Sequence, residues 1–87
     1  HLTRGLASEW AQYGIRVNAL APGYMLTENT ATSRKYPEIV ERLTEMTPMK
    51  RYGQEWELKG AVVFLASQAS SFMTGSILVI DGGNIIW

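Results

Sequence analysis

Apolar residues recur along the chain in two rhythms. Leu2, Leu6, Ala7, Trp10 and Ala11 fall at i, i+4 and i+8 spacing, which is one face of a helix. Gly14 follows them and can take the left-handed conformation that ends helices. The spacing predicts a helix over roughly 2–12. The next run, Ile15 to Ala21, is nearly continuous, with Ile15, Val17 and Leu20 apolar and Ala19 and Ala21 filling the gaps. Such a run over 15–20 reads as a parallel strand buried on both faces. Asn18 is its polar exception, and a satisfied amide that fixes a neighbouring turn is the simplest role for it. The run stops at Pro22-Gly23, and a hydroxyl follows at Thr27. In open α/β folds ligands gather at the carboxyl ends of strands, so this junction is the first candidate for a site.

Residues 24–52 form a long excursion. Thr27 to Ser33 is polar and hydroxyl-rich. Pro37 suits the first turn of a helix, and Ile39, Val40, Leu43 and Met46 give that helix a short apolar stripe. Pro48 ends it, because proline disfavours a helical residue before itself. A long connection with its own helix is often a substrate loop, and a packed surface excursion is the other reading. Gly53-Gln54 opens the next helix, with Glu55 and Glu57 near its positive end. Leu58, Ala61, Val62, Leu65 and Ala66 form its expected buried stripe, with Trp56 off the centre. That helix ends near Ser67. Thr74-Gly75 is a turn, Ser76 to Ile80 a second strand, and Asp81-Gly82-Gly83 breaks it. Strands separated by a helix imply a parallel pair.

Composition narrows the function classes. The 87 residues are 46% hydrophobic and 18% charged, which is globular rather than disordered composition. Basic and acidic residues cancel to a formal charge of zero, so nothing favours capture of nucleic acid or an anionic membrane. There is no cysteine, which removes disulfides and thiolate metal sites and suits a reducing compartment. Apolar runs fall far short of a membrane span. The opening residues, His1 to Gly5, lack both an initiating Met and the layout of a signal peptide, so the expectation is a chain that begins in mid-sequence.

Several blocks, in order over nearly the whole chain, together resemble the C-terminal part of the short-chain dehydrogenase/reductase family. They are Leu2 to Glu9, Gly14 to Gly23 with Thr27 after it, Thr47-Pro48-Met49-Lys50-Arg51-Tyr52-Gly53, Val63 to Ser67, Ser70 to Gly75, and Val79-Ile80-Asp81-Gly82-Gly83. The resemblance implies an α/β fold. Residues 1–87 would be the C-terminal portion of one Rossmann-type, doubly wound parallel sheet, with two strands, two main helices and a short loop helix. It implies an oxidoreductase that moves hydride between NAD or NADP and a small-molecule alcohol or ketone. It also implies a cytoplasmic enzyme assembled as a homodimer or homotetramer. Trp56, Phe72, Ile85, Ile86 and Trp87 are apolar residues that such interfaces would use.

The family's chemistry needs a Tyr-x-x-x-Lys pair, a Ser and a glycine-rich phosphate loop. No Tyr here has a Lys four positions later, and the loop pattern is absent. No catalytic residue is therefore assigned, and the 87-residue chain alone is expected to be inactive. The resemblance does carry over the cofactor edge. Pro22-Gly23 matches the turn beside the nicotinamide, the backbone of Met25 matches the group that hydrogen-bonds the carboxamide, and Thr27 matches the hydroxyl that contacts the carboxamide or pyrophosphate. A plain strand-ending turn is the competing explanation of Pro22-Gly23. Tyr24, Met46 and Met49 correspond to the substrate loop, although methionines there serve equally as packing. Asp81 is expected to cap the Gly82-Gly83 turn. The Thr47 to Gly53 block most resembles members acting on sugars, polyols and aldonates. A non-catalytic truncated chain or interaction module is the alternative from a different class.

Overall fold

Asn18 and Arg16 decide where the sheet begins. In the computed structural model, which describes residues 2–84, the chain runs α1 (Leu2–Trp10), β1 (Ala19–Pro22), α2 (Glu28–Ala31), α3 (Pro37–Met46), α4 (Trp56–Ala66) and β2 (Ile77–Ile80). Short 3-10 turns follow α1 at Ala11–Tyr13, α2 at Ser33–Lys35 and α4 at Gln68–Ser70. Gly14 closes the first of them at φ 73°, the left-handed ending that its position suggested. The strands pair in parallel, from Ala19 opposite Ile77 to Pro22 opposite Ile80.

The expected strand at 15–20 starts four residues later. Over 15–18 the side chains take over the bonding that a ladder would supply. The Arg16 guanidinium donates to carbonyls of Leu65, Ser67, Ser70 and Met73, so a fixed cation meets the end of α4 and the turn after it. Asn18 donates to the Met73 carbonyl at 3.0 Å and accepts the Ser76 N–H at 3.1 Å. Its expected role as a satisfied amide fixing a turn is what the bonds describe. Regular pairing begins at the next residue, where the Ala19 N–H reaches the Ser76 carbonyl.

Other boundaries move for equally local reasons. The helix expected from Gly53 begins at Trp56, because Gly53 pairs instead with Met25 in an isolated parallel bridge. The hydroxyl-rich segment after Thr27 is not featureless but forms α2. Pro37 does open α3, as its fixed φ favours.

Burial differs most from expectation. β1 is half-buried rather than enclosed on both faces. In α4, Leu58, Ala61 and Leu65 are half-buried, but Val62 is 53% exposed and Ala66 also faces out. Val63 and Phe64 are exposed as well, so α4 is apolar all round, a pattern that belongs to a helix covered on two sides. Trp56 and Phe72 are exposed, as their rim positions suggested; Ile85, Ile86 and Trp87 lie outside the described residues. Among the described residues the buried apolar side chains are Ala7, Met25 and Tyr52. The radius of gyration is 15.7 Å, against about 12 Å for a compact domain of this length.

So thin a core predicts that the 87-residue chain by itself has no cooperative unfolding transition. Denaturant titration followed by circular dichroism checks this; a sharp sigmoidal transition of the monomer would refute it.

Candidate functional site

The two strand ends meet without room for a side chain. Pro22 sits exposed at the last register position of β1, and the Gly23 N–H bonds the Ile80 carbonyl at 2.9 Å. A Cβ on Gly23 would lie 2.8 Å from the Cα of Asp81. The glycine is thus required by backbone-to-backbone approach at this turn. Asp81 accepts the Gly83 N–H at 2.9 Å and so caps the next turn, as its place in the sequence suggested.

Beyond the turn, alternation of the extended backbone assigns a direction to each polar group. The Gly53 N–H donates to the Tyr24 carbonyl and the Leu26 N–H donates to the Gly53 carbonyl, both at 2.8 Å. Tyr24 and Leu26 therefore turn those groups toward Gly53, and Met25 turns its own N–H and carbonyl the opposite way. The Thr30 hydroxyl takes the Met25 carbonyl at 2.7 Å. Among the described residues no hydrogen bond reaches the Met25 N–H. The Met25 side chain is buried on Gly53, where a Cβ would come 2.6 Å from its sulfur. What Met25 can offer a ligand is backbone.

Thr27 is the residue before α2, in extended conformation. Its N–H donates to the Thr30 hydroxyl at 3.2 Å. The Thr27 hydroxyl faces the Thr30 N–H in capping-box fashion, yet that N–H bonds the Thr27 carbonyl, and no side-chain cap bond forms. Arg34 braces the same turn, donating to the Thr27 carbonyl at 2.9 Å and to the Thr30 hydroxyl at 3.2 Å. Gly23, Met25 and Thr27 thus lie on one short, well-bonded segment.

A cavity of about 90 Å3 opens beside that segment, lined by Gly23, Tyr24, Met25, Met49, Arg51 and Glu57 among others. Of the expected substrate-loop residues, Tyr24 and Met49 reach it. Met46, at the end of α3 and 52% exposed, is not among its lining residues.

The residues missed in the sequence are those that hold this segment in place. Thr30 carried no signal, because the capping-box pattern asks for Glu or Gln at that position. Arg51 and Glu57 had none, because six residues apart fits no regular periodicity. Their ion pair is a two-point fork, Nη1 to Oε1 at 2.7 Å and Nη2 to Oε2 at 3.0 Å. Glu57 also accepts the Gln54 N–H at 2.9 Å. The Arg51 bond first, and the Gln54 bond second, hold the Glu57 carboxyl down from 4.5 to about 2.

Residues 1–84 match a family model described as enoyl-(acyl carrier protein) reductase, one of the short-chain dehydrogenase/reductase models. The chain belongs to the short-chain dehydrogenase/reductase family. It is 55% identical over 86 residues to galactitol 2-dehydrogenase (L-tagatose-forming) of Cereibacter sphaeroides, covering 99% of this chain and 34% of that protein. It is 47% identical over 83 residues to gluconate 5-dehydrogenase of Gluconobacter oxydans, covering 95% and 32%. Among solved structures, gluconate 5-dehydrogenase of Burkholderia cenocepacia, in complex with NADP and tartrate, superposes with a TM-score of 0.91. That match has 46% identity over 95% of this chain and 32% of the other. The chain therefore spans about a third of the length of these relatives. Its two parallel strands and their helices are part of the Rossmann fold of the family.

The depressed Glu57 carboxyl has a pH consequence. Its folded value lies below its unfolded one, so the pair's contribution is complete above about pH 4.5 and is lost as pH falls toward 2. Carboxyl NMR titration of the folded, full-length protein should give about 2 for Glu57. Arg51→Met should return it most of the way to 4.5, and an unchanged titration would contradict the pairing.

Proposed function

We propose that these residues are the C-terminal part of an NAD(P)-dependent oxidoreductase that interconverts an alcohol and a ketone on a sugar, polyol or aldonate. The observation that carries this reading is the Met25 peptide. Its carbonyl is held by Thr30, its neighbours are held by Gly53, and its N–H, turned to the carbonyl's side and away from Gly53, meets no acceptor among the described residues. With the Thr27 hydroxyl two residues on, that edge offers a donor and an adaptable hydroxyl. This set fits the carbonyl and amino ends of a nicotinamide carboxamide. NADP in the Burkholderia relative supports the cofactor class, and the galactitol and gluconate relatives support the substrate class.

Nicotinamide, when bound, supplies hydride transfer; this chain's own groups position it and exclude water. The Met25 N–H would hold the carboxamide. Thr27 holds the cofactor against the segment braced by Arg34. The proton-transferring Tyr and Lys and the phosphate loop belong to residues upstream of this stretch, so the 87 residues alone are inactive. Residues 24–52 are the substrate loop, with Tyr24 and Met49 nearer the cofactor edge than Met46.

The reading includes assembly as a homodimer or homotetramer in the cytoplasm. Trp56 and Phe72, exposed at the rim, support association. A cysteine-free sequence fits a reducing compartment. A non-catalytic module is less favoured, because it gives no reason for an oriented, braced Met25 peptide.

In the full-length protein, Thr27→Ala should raise the cofactor KM about tenfold while shifting Tm little. Light scattering of the same samples should give two or four subunits. An unchanged cofactor KM would count against Thr27 as a cofactor ligand, and a monomer would count against the assembly.

A further inference from the structure

We propose that the Arg51–Glu57 pair is a latch that sets the position of the cofactor-facing Met25 peptide. The proposal rests on the cofactor reading above and names positioning residues for it. The chain reverses after α3. Lys50 takes a left-handed φ of 57°, a conformation that disfavours any non-glycine residue, and its N–H bonds the Thr47 carbonyl at 2.8 Å. Its ammonium reaches back to the Glu45 carbonyl at 3.0 Å. This turn sends Arg51-Tyr52-Gly53 alongside Tyr24-Met25-Leu26.

The contact made there is small. One isolated bridge, Met25 opposite Gly53, joins the two segments. A single bridge has no ladder on either side to fix its place. The position of Gly53 then depends on what anchors it from behind, and Glu57 is that anchor. Its carboxylate takes the Arg51 fork from two residues before Gly53 and the Gln54 N–H from the residue after. Arg51 also donates to the Tyr52 carbonyl at 3.2 Å. The carboxylate thus brackets Tyr52-Gly53.

The bracket closes a circuit. β1 delivers Met25, Met25 bonds Gly53 through its neighbours, Glu57 in the first turn of α4 holds Gly53, and α4 packs on β1. Met25 cannot ignore a shift of Gly53, because the glycine has no side chain to spare between its Cα and the Met25 sulfur. Nor is there a wedge behind, since Met25, Gly53, Arg51 and Glu57 all border the cavity. Displacing a binding donor by a fraction of an ångström weakens positioning without unfolding anything. An exposed ion pair is ordinarily a minor contributor to stability. Its geometry, rather than its strength, is what matters at this place.

The test uses the full-length protein with three variants, Arg51→Met, Glu57→Gln and Arg51→Lys. The readouts are fluorescence titration with NADH and NADPH, steady-state kinetics and Tm. The latch predicts that Arg51→Met and Glu57→Gln weaken binding of the preferred cofactor and raise its KM about fivefold. The change in kcat should be smaller, and Tm should stay within a few degrees. Arg51→Lys should recover only part of the affinity, because an ammonium cannot reproduce the two-point fork. Unchanged cofactor affinity in folded Arg51→Met and Glu57→Gln would overturn the latch. A fall in Tm and active fraction at unchanged KM would likewise overturn it, leaving a purely structural pair. Should Arg51→Met fail to fold, Glu57→Gln decides, since it keeps the shape and the Gln54 bond. If the wild-type protein binds neither NADH nor NADPH, the function reading fails rather than the latch alone.

Discussion

The side-chain amide of Asn18 sets the register on which everything downstream depends. It holds the Met73 carbonyl with its NH2 and the Ser76 N–H with its oxygen, so the incoming strand and the crossover turn are fixed in one step. Arg16 adds a guanidinium spread over carbonyls at the end of α4 and in the turn that follows. From that clamp the parallel pair runs four residues to Pro22 opposite Ile80, and the Gly23 turn lands on the backbone of Asp81. A slip of one residue would put a Cβ into Asp81 or reverse the direction of the Met25 N–H. The site is therefore a consequence of strand register, set some distance before it.

The same economy explains why the site is carried by backbone. Each polar group of residues 24–26 faces one of two sides. One side is consumed by Gly53 and part of the other by Thr30. The Met25 side chain is spent on packing against Gly53. What remains is one N–H, the kind of group that can recognise an amide carbonyl at fixed geometry without side-chain entropy to lose. The apolar surfaces of α4 and β2 have a different logic. They are too extensive for the thin core that two strands provide, and they agree with a chain that spans about a third of its relatives.

Much of this was legible in the sequence. The continuous run ending at Pro22-Gly23, Gly14 after the first helix, and Pro37 opening α3 each act through local sterics, and local sterics are written in residue identity. Asn18 and Asp81 could be read as turn-fixing groups because their side chains bond backbone close to a turn. What escaped depends on partners distant in sequence. Arg16 drew no role in the apolar run, yet it meets carbonyls about fifty residues away, a separation no periodicity encodes. Gly53 read as a helix opener, but its role is set by Met25 across the excursion. Val62 and Ala66 were placed inside because α4 is apolar on every side, and an all-apolar helix has no pattern that distinguishes its inner face. Met46 and Met49 were equivalent as sequence; the Met49 N–H bonds the carbonyl of Gly82, which lines the cavity, while Met46 ends α3 away from it.

The central claim is that the Met25 N–H faces the cofactor. The most direct measurement is a backbone amide NMR titration of the full-length protein with NAD+ and NADP+. The account predicts that the Met25 amide shows the largest shift in the segment 22–30, moving downfield as it acquires an acceptor, with Thr27 next. Saturable cofactor binding that leaves the Met25 amide unmoved would contradict it.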